Sequence, residues 1–374
     1  MTAAQAGGDT FEEAGVAQRR ETFLAAYSRN FKLAVVTLVL AVAVLPWAID
    51  RLLSLSDVTI PGHLVKKIAH VTHVQSADAE MRPEVTGQVN QAQLGNQVNE
   101  PALNSQDDKS IKLILAPAPA VTEDTPQGSL PRIGEDGRPP WQVYARPYNV
   151  ADRRPRIALV ITDLGLARAP TDAAISRLPT NVTMALDVQS PVVSAWGNRA
   201  RQDGHEIIIN VPMEPFDYPR SDPGPNTLLT SLPNSNNIER LTWALRECVG
   251  YVGITSFSGS RFATDPDKMR AVLDILKQRG LMIFDPRIAP HSVIMSLAKE
   301  DHIPYAVGTL QIDDELTPDA IDKTLARLEK EARLNGHAVG IAGSSPLVLD
   351  RLQLWLKNLP DRGISLAPLS AVVE

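Results

Sequence analysis

Beyond residue 156 the chain alternates between short apolar runs and longer amphipathic stretches, and this alternation limits the possible folds more than any other feature. The apolar runs predict strands because they are short, rich in β-branched residues and bounded by turn residues. They read IALVIT, VTMALD, EIIINV, VGITSF, LMIFD, VGIAG and ISLAP. The amphipathic stretches NNIERLTWALRECVG, DPDKMRAVLDILKQRG and TPDAIDKTLARLEKEARLNG predict helices, with Asn, Asp or Thr at the start and glycine at the end.

Four strands directly follow a glycine that closes a polar or basic stretch, at Gly204, Gly280, Gly336 and Gly363. A repeated helix-to-strand connection of this kind predicts a parallel sheet with helices outside it. The number of runs favours an α/β fold with an irregular (β/α) barrel of about seven parallel strands. A doubly wound sheet is the alternative. In both architectures the functional edge is the one where the strands end.

Residues 33–49 contain no charged residue and are about as long as the shortest membrane-spanning helix. We therefore predict a transmembrane signal anchor, with residues 1–32 as a cytoplasmic tail. A small excess of Lys and Arg before the span favours that orientation, an inner-membrane location with a single pass, and a periplasmic C-terminal domain. A cleaved signal peptide and a buried helix are the alternatives.

Residues 50–140 are rich in Gln, Asn, Pro, Ala and Asp and show little helical or strand periodicity. This composition predicts a flexible linker of low complexity between the span and a folded domain at 141–374. The net charge of −6, with scattered Lys and Arg, argues against a nucleic-acid partner. The single cysteine, Cys248, rules out an intramolecular disulfide.

Acidic residues recur at the predicted carboxyl ends of strands. Asp163, Asp187, Glu214 and Asp285 each end or closely follow an apolar run. We expect them to meet at one edge of the sheet, although each could also be a helix cap or a loop hydrogen-bonding group.

Histidine placement does not support a zinc site, because His205 and His337 begin their strands and only His291 is placed near the acidic edge. Oxygen donors suit a harder cation, so Asp163 and Glu214 are the candidate ligands of a divalent metal. The cofactor is left open.

Several stretches together resemble the divergent polysaccharide deacetylases, relatives of the NodB-type carbohydrate deacetylases. The resemblance covers roughly residues 131–374 and rests on IALVITDLG, GHEIIINVPMEP, PGPNTL, GSRF, MIFDPR, GHAVGIA and GISLAPLS. It implies an irregular (β/α) barrel and an ancestral metal-assisted hydrolysis of an N-acetyl amide on a polysaccharide. The partner that it implies is an envelope polysaccharide or peptidoglycan.

The resemblance also implies losses at the site. Its motif places a base-like Asp at Thr162 and a metal-binding Asp at Asp163, and a His at Asn210. SFSGS stands where relatives show NHMGS, so Ser256 and Phe257 are substitutions. The closing GHP turn is replaced by AGSSP, which includes Gly343.

Two functions stay open from the sequence: a deacetylase-like hydrolase acting on a non-peptide C–N bond, and an inactive module that binds envelope glycan or protein on the same barrel. The candidate catalytic residues are Asp163, Asp285 and Arg287. The candidate substrate-binding residues are Glu214, Arg261 and Asp187.

Overall fold

The computed structural model describes residues 111–374. The predicted tail at 1–32, the predicted span at 33–49 and most of the predicted linker lie outside the described residues. Among the helices of residues 111–374, none combines the length and the apolar character that a membrane span requires.

Eleven strands are present in the described chain. They are β1 (Thr122–Thr125), β2 (Gly128–Pro131), β3 (Arg156–Leu164), β4 (Thr183–Asp187), β5 (Ile207–Asn210), β6 (Gly253–Thr255), β7 (Met282–Asp285), β8 (Tyr305–Val307), β9 (Leu310–Gln311), β10 (His337–Ala342) and β11 (Ser365–Ala367). All seven apolar runs of the sequence analysis form strands. They correspond to β3 to β7, β10 and β11.

Eight α-helices accompany these strands in residues 111–374. They are α1 (Pro140–Val143), α2 (Arg168–Arg177), α3 (Val193–Gln202), α4 (Asn234–Arg246), α5 (Pro266–Arg279), α6 (Ile294–Glu300), α7 (Pro318–Asn335) and α8 (Pro346–Lys357). Two helices have the predicted ends. Asp265 accepts hydrogen bonds from the first turn of α5 and Thr317 from that of α7, and left-handed Gly280 and Gly336 end them. The predicted Asn cap of α4 is wrong, because Pro233 precedes that helix without a side-chain cap.

The main sheet contains nine parallel strands in the order β8-β7-β6-β5-β4-β3-β10-β9, with β11 paired to β3. Its two ends meet in one segment, because β8 and β9 are separated by only Gly308 and Thr309. The Gly308 amide donates to the Asp285 carbonyl oxygen, and the Thr309 amide donates to the Val339 carbonyl oxygen, both at 2.8 Å. These two hydrogen bonds connect the two ends of the strand order, as in a barrel. The parallel strands with helices between them confirm the predicted parallel α/β architecture.

One edge of β3 is shared by two strands. Its first part pairs with β11 (Arg156 with Ser365), and its last part pairs with β4 (Val160 with Thr183). The last predicted strand is therefore a short addition at the lower end, meaning the end where the parallel strands begin. The segment 305–311, which the sequence analysis did not recognise, supplies the pairing that joins β7 to β10.

Alternate residues of each strand belong to two apolar clusters. In β3, Ile157, Leu159 and Ile161 belong to the larger cluster, which includes the apolar faces of the helices. Ala158 and Val160 belong to a second cluster with residues of β5, β7 and β10 and of the C-terminal turn. This division into two clusters is expected when one face of a parallel sheet lines an interior and the other packs against helices.

The lower end of the barrel encloses an acidic residue, Glu206, directly before β5. Its carboxylate accepts hydrogen bonds from the Arg146 amide (3.1 Å), the Thr183 hydroxyl (3.3 Å) and both the amide and the hydroxyl of Ser370. Burial raises the pKa of Glu206. Four donors from distant parts of the chain therefore converge on one carboxylate and close this end.

A hairpin lies before residue 141, within the stretch predicted as linker. Residues 122–131 form the antiparallel hairpin of β1 and β2, with Val121 and Leu130 buried in the apolar clusters. The side chain of Arg279, at the end of α5, contacts the Glu123 carboxylate at 2.8 Å. Polar and Pro-rich composition indicated a linker here, but a few apolar side chains are enough to pack a hairpin against the domain.

Candidate active site at the carboxyl ends of the strands

A cleft of about 720 Å³ lies at the edge where the parallel strands end. Its walls come from the carboxyl end of β3, the loops after β6 and β7, the segment from Gly308 through β9 to Asp314, and α7. It is lined by Thr162, Asp163, Phe257, Pro286, Arg287, Ile288, Gly308, Thr309, Leu310, Gln311, Asp313, Asp314, Thr324 and Arg327. The volume is within the range of small-molecule sites, and the location is the one expected for a parallel α/β barrel.

Asp163 lies at an irregularity near the carboxyl end of β3. The pairing of β3 with β4 shifts register between Ile161 and Leu164, and Asp163 has φ of 60°. This left-handed backbone is unfavourable for a residue with a Cβ atom and marks a locally constrained position. The Asp163 carboxylate is exposed to the cleft and accepts a hydrogen bond from the Thr162 hydroxyl at 3.2 Å.

Asp187 and Asn210 lie opposite each other at the ends of β4 and β5. The Asn210 amide nitrogen donates to Asp187 Oδ2 at 3.0 Å, and its oxygen accepts from the Phe257 amide at 3.1 Å. Burial, followed by the negative charge of Asp163, raises the pKa of Asp187. Asn210 thus links two neighbouring strand ends, and Asp163 lies close enough to Asp187 to influence its ionisation.

Glu214 is buried, and its carboxylate contacts Thr230 and Arg261. Its Oε2 accepts hydrogen bonds from the amide and the hydroxyl of Thr230, the latter at 2.7 Å, and Arg261 Nε lies 3.5 Å from Oε1. Neither Glu214 nor Arg261 lines the cleft described above. Their contacts hold the loop after β5 against the turn after β6. A shared cation at Asp163 and Glu214 stays a prediction.

Asp285 organises the turn after β7. Its Oδ1 accepts from the Arg287 amide at 2.9 Å and its Oδ2 from the Ser292 hydroxyl at 2.8 Å. Arg287, with φ of 57°, directs an exposed side chain into the cleft wall. Asp285 therefore positions Arg287, whereas Arg287 is available for a ligand.

Asp313 is a cleft residue that the sequence analysis missed. Asp313 follows β9, and like the other candidate acids it therefore lies at the carboxyl end of a strand. The sequence did not predict β9, so it did not predict this acid either. Asp313 Oδ2 accepts a hydrogen bond from the Gly343 amide at 2.8 Å. A Cβ atom on Gly343 would lie 2.9 Å from this oxygen and 3.2 Å from Asp163 Oδ2. The two carboxylates therefore border the same small space.

The positions that the deacetylase motif assigns to its donors do converge here. Thr162, Asp163 and Phe257 line the cleft, Asn210 is bonded to the Phe257 amide, and Gly343 separates Asp163 from Asp313. The residues now present do not fit a zinc ion, because Thr, Phe and Gly offer no zinc-ligand side chain and Asn is a poor one. Within residues 111–374 no group of three His, Cys, Asp or Glu side chains is arranged to hold a metal.

A parallel barrel whose cleft lies at the strand ends defines this as an α/β protein of the NodB-like class. The chain belongs to the divergent polysaccharide deacetylase family, whose model matches residues 159–373, more than half of its length.

Three similar proteins are described only as uncharacterized proteins. One from Haemophilus influenzae is 27% identical over 206 residues, which is 55% of this chain and 72% of that protein. YibQ of Escherichia coli is 26% identical over 206 residues, and the match spans 63% of its length and 55% of this chain. The crystal structure of an uncharacterized protein from Agrobacterium tumefaciens C58 superposes with a TM-score of 0.64 at 34% identity, over 65% of this chain and 99% of that chain.

Proposed function

We propose that this protein binds an envelope saccharide in the cleft at the carboxyl ends of its strands and does not remove acetyl groups with zinc. One observation carries the proposal. The cleft lies at the carboxyl ends of the strands and has the volume of a small-molecule site, but the positions around it that the motif assigns to the base and the metal ligands are Thr162, Asn210, Phe257 and Gly343.

The chemistry of these side chains supports binding over hydrolysis. Thr162 cannot accept a proton as a carboxylate does, and Phe257 offers no ionisable group. Asn210 uses its amide to connect Asp187 with the Phe257 backbone. Asp163 is the one acid retained from the motif's Asp pair, so the carboxylate base that the motif places at position 162 is replaced by a hydroxyl that is a poor proton acceptor.

The surroundings of the cleft suit a saccharide. Five loops that leave the carboxyl ends of strands each expose a large apolar side chain: Leu166, Val192, Phe216, Ile288 and Leu316. Apolar side chains around a polar cleft can pack against the C–H faces of sugar rings, while charged groups inside bind hydroxyl and ionic groups. A protein partner on this surface is the competing outcome.

We also propose that residues 33–49 anchor the protein in the inner membrane, with the C-terminal domain in the periplasm. The support is the uncharged length of this segment and the small excess of Lys and Arg before it. Extraction of membranes with alkaline carbonate should leave the full chain in the pellet. Protease added to spheroplasts should degrade the C-terminal domain, and protection of that domain would contradict the orientation.

Two measurements on the full-length protein in detergent distinguish a saccharide-binding protein from a hydrolase. The first is retention by insoluble peptidoglycan, and the second is acetate release from N-acetylated oligosaccharides with added zinc, manganese, magnesium or calcium. We expect retention without acetate release. Asp163→Ala should weaken retention without unfolding the domain, and the matched variant Asp361→Ala, an exposed acid outside the cleft, should not.

Two results would overturn this function. Acetate release that requires a metal and disappears in Asp163→Ala would establish a hydrolase. A failure to bind peptidoglycan, combined with retention of a protein from the envelope on the same face, would replace the saccharide with a protein partner.

A further inference from the structure

We propose that the cleft selects a saccharide that carries both a free amino group and a carboxylate. The ammonium would lie between Asp163 and Asp313, and the carboxylate would contact Arg287 and Arg327. This inference rests on the proposed saccharide-binding function and names the chemical class of its ligand.

The acidic half of the cleft is arranged around Gly343. The Oδ2 atoms of Asp163 and Asp313 lie 3.2 and 2.9 Å from the position that a Cβ atom on Gly343 would occupy. Because glycine leaves that position empty, both oxygens face one open volume. An ammonium group has three N–H donors and can contact both oxygens at once through charge-assisted hydrogen bonds.

The basic half contains Arg287 and Arg327. Both side chains are exposed and line the cleft. Within residues 111–374 neither guanidinium forms a hydrogen bond or an ion pair. Arg261 provides the contrast, because it lies near the same edge but contacts Glu214 and the Phe216 carbonyl oxygen. An uncommitted guanidinium in a concave site is well suited to bind a carboxylate through two parallel hydrogen bonds.

The two halves do not neutralise each other. In the described chain no ion pair within 4.0 Å joins Arg287 or Arg327 to Asp163 or Asp313. The cleft therefore has separate negative and positive groups, and its lining also includes the apolar side chains of Phe257 and Ile288. A ligand with one charge of each sign and an apolar ring face complements this arrangement better than a neutral sugar does.

Four monosaccharides test the two charges independently. Muramic acid carries the amine and the carboxylate, N-acetylmuramic acid only the carboxylate, glucosamine only the amine, and N-acetylglucosamine neither. We would measure their dissociation constants with the full-length protein at pH 7, by ligand-observed NMR. Muramic acid should bind about tenfold more tightly than either singly charged sugar, in line with the usual contribution of a hydrogen bond to a charged group.

Two variants then assign each charge to its residues. Asp313→Asn should reduce about tenfold the preference for muramic acid over N-acetylmuramic acid, and it should leave the preference for muramic acid over glucosamine unchanged. Arg287→Gln should reduce the second preference about tenfold and leave the first unchanged. Asp361→Asn and Lys330→Gln are matched controls, because both side chains are exposed outside the cleft. They should bind all four sugars as the unmodified protein does.

Failure of this inference is distinguishable from failure of the proposed function. Equal binding of all four sugars would overturn the inference and leave saccharide binding intact. Retention by peptidoglycan without any preference for muramic acid would do the same. If the protein bound neither the monosaccharides nor peptidoglycan, both would be overturned.

Discussion

The backbone amide of Gly343 donates a hydrogen bond to Oδ2 of Asp313, at 2.8 Å, beside the space that Asp163 also borders. This bond joins the loop after β10 to the loop after β9 and fixes the direction of the Asp313 carboxylate. Gly343 stands at a position of the deacetylase motif, and its backbone amide orients Asp313, an acid that is not part of that motif. Gly343 is consequently a sensitive position for ligand binding.

Gly343→Ala should block the cleft without removing a charge. The added methyl would lie 2.9 Å from Asp313 Oδ2, so this carboxylate must move, and it would occupy the volume proposed for the ammonium. The backbone of Gly343 is outside the left-handed region, so alanine is tolerated there. We expect about a tenfold loss of affinity for muramic acid, within the usual range for a charged hydrogen bond.

Calorimetric titration with muramic acid measures this loss, and thermal unfolding checks that the variant is folded. The neighbouring variant Ser344→Ala, which adds no atom, is the control. Unchanged affinity in Gly343→Ala would show that the ligand does not reach this space.

Asp163→Asn should lower the pKa of Asp187. Burial is the larger cause of the raised pKa of Asp187, and the charge of Asp163 adds to it. Removing that charge should leave the burial effect and move the pKa part of the way to the ordinary value of 3.8. The measurement is a ¹³C NMR titration of the Asp187 carboxyl, and Asp361→Asn should leave it unchanged.

The same shift has a defined effect on stability. The folded state keeps a proton on Asp187 at pH values where the unfolded chain has lost it. The free energy of unfolding therefore falls as the pH rises from 3.8 through the raised pKa. This fall should be smaller in Asp163→Asn, and an identical pH profile in both proteins would contradict electrostatic coupling between the two acids.

Glu206→Ala should destabilise the lower end of the barrel. The change leaves donors of Arg146, Thr183 and Ser370 without their acceptor in a buried environment. We expect a loss of about 3 kcal/mol in the free energy of unfolding. Urea denaturation gives this value. Glu300→Ala removes an exposed ion pair with Arg270 and should cost much less, because solvent screens that pair. Equal losses in the two variants would mean that the buried network contributes little.

Cys248 should be unreactive in the folded protein. Burial raises the pKa of its thiol to about 12, whereas the thiolate is the reactive form. Iodoacetamide at pH 8 should therefore modify Cys248 only after unfolding in urea, which mass spectrometry of the single-cysteine chain can follow. Rapid modification under native conditions would show that this region opens independently of global unfolding.

The raised pKa of Cys248 also predicts a loss of stability in alkali. Below pH 9 the thiol is neutral in both states, so it has no pH-dependent effect. Between its ordinary pKa of 9.0 and about 12 only the unfolded chain loses the proton, and the free energy of unfolding falls. Cys248→Ala should lack this part of the alkaline decline, although it creates a small cavity beside Gly197.

Local patterns predicted most of the barrel, and one segment shows their limit. Residues 305–311 lack a strand pattern of ordinary length because Gly308 and Thr309 divide them into runs of three and two residues. Each half pairs with a different strand, β8 with β7 and β9 with β10, and this pairing depends on the closed sheet rather than on neighbouring residues. Missing this strand also meant missing Asp313, which follows it. The closure of the sheet through β8 and β9 and the site residue Asp313 therefore could not be predicted for the same reason, the absence of a strand pattern in residues 305–311.

The sequence by itself determined seven of the eleven described strands, the glycine ends of helices such as α5 and α7, and the recurrence of acids at strand ends, because these depend on residues a few positions apart. Only the tertiary structure decided the use of each acid. Glu214 and Asp285 are engaged by Thr230, Arg261 and Ser292, whereas Asp163 and Asp313 face one open space. A carboxylate's partners depend on which distant segments the closed sheet brings beside it. Here that closure brings together two acids 150 residues apart in the chain.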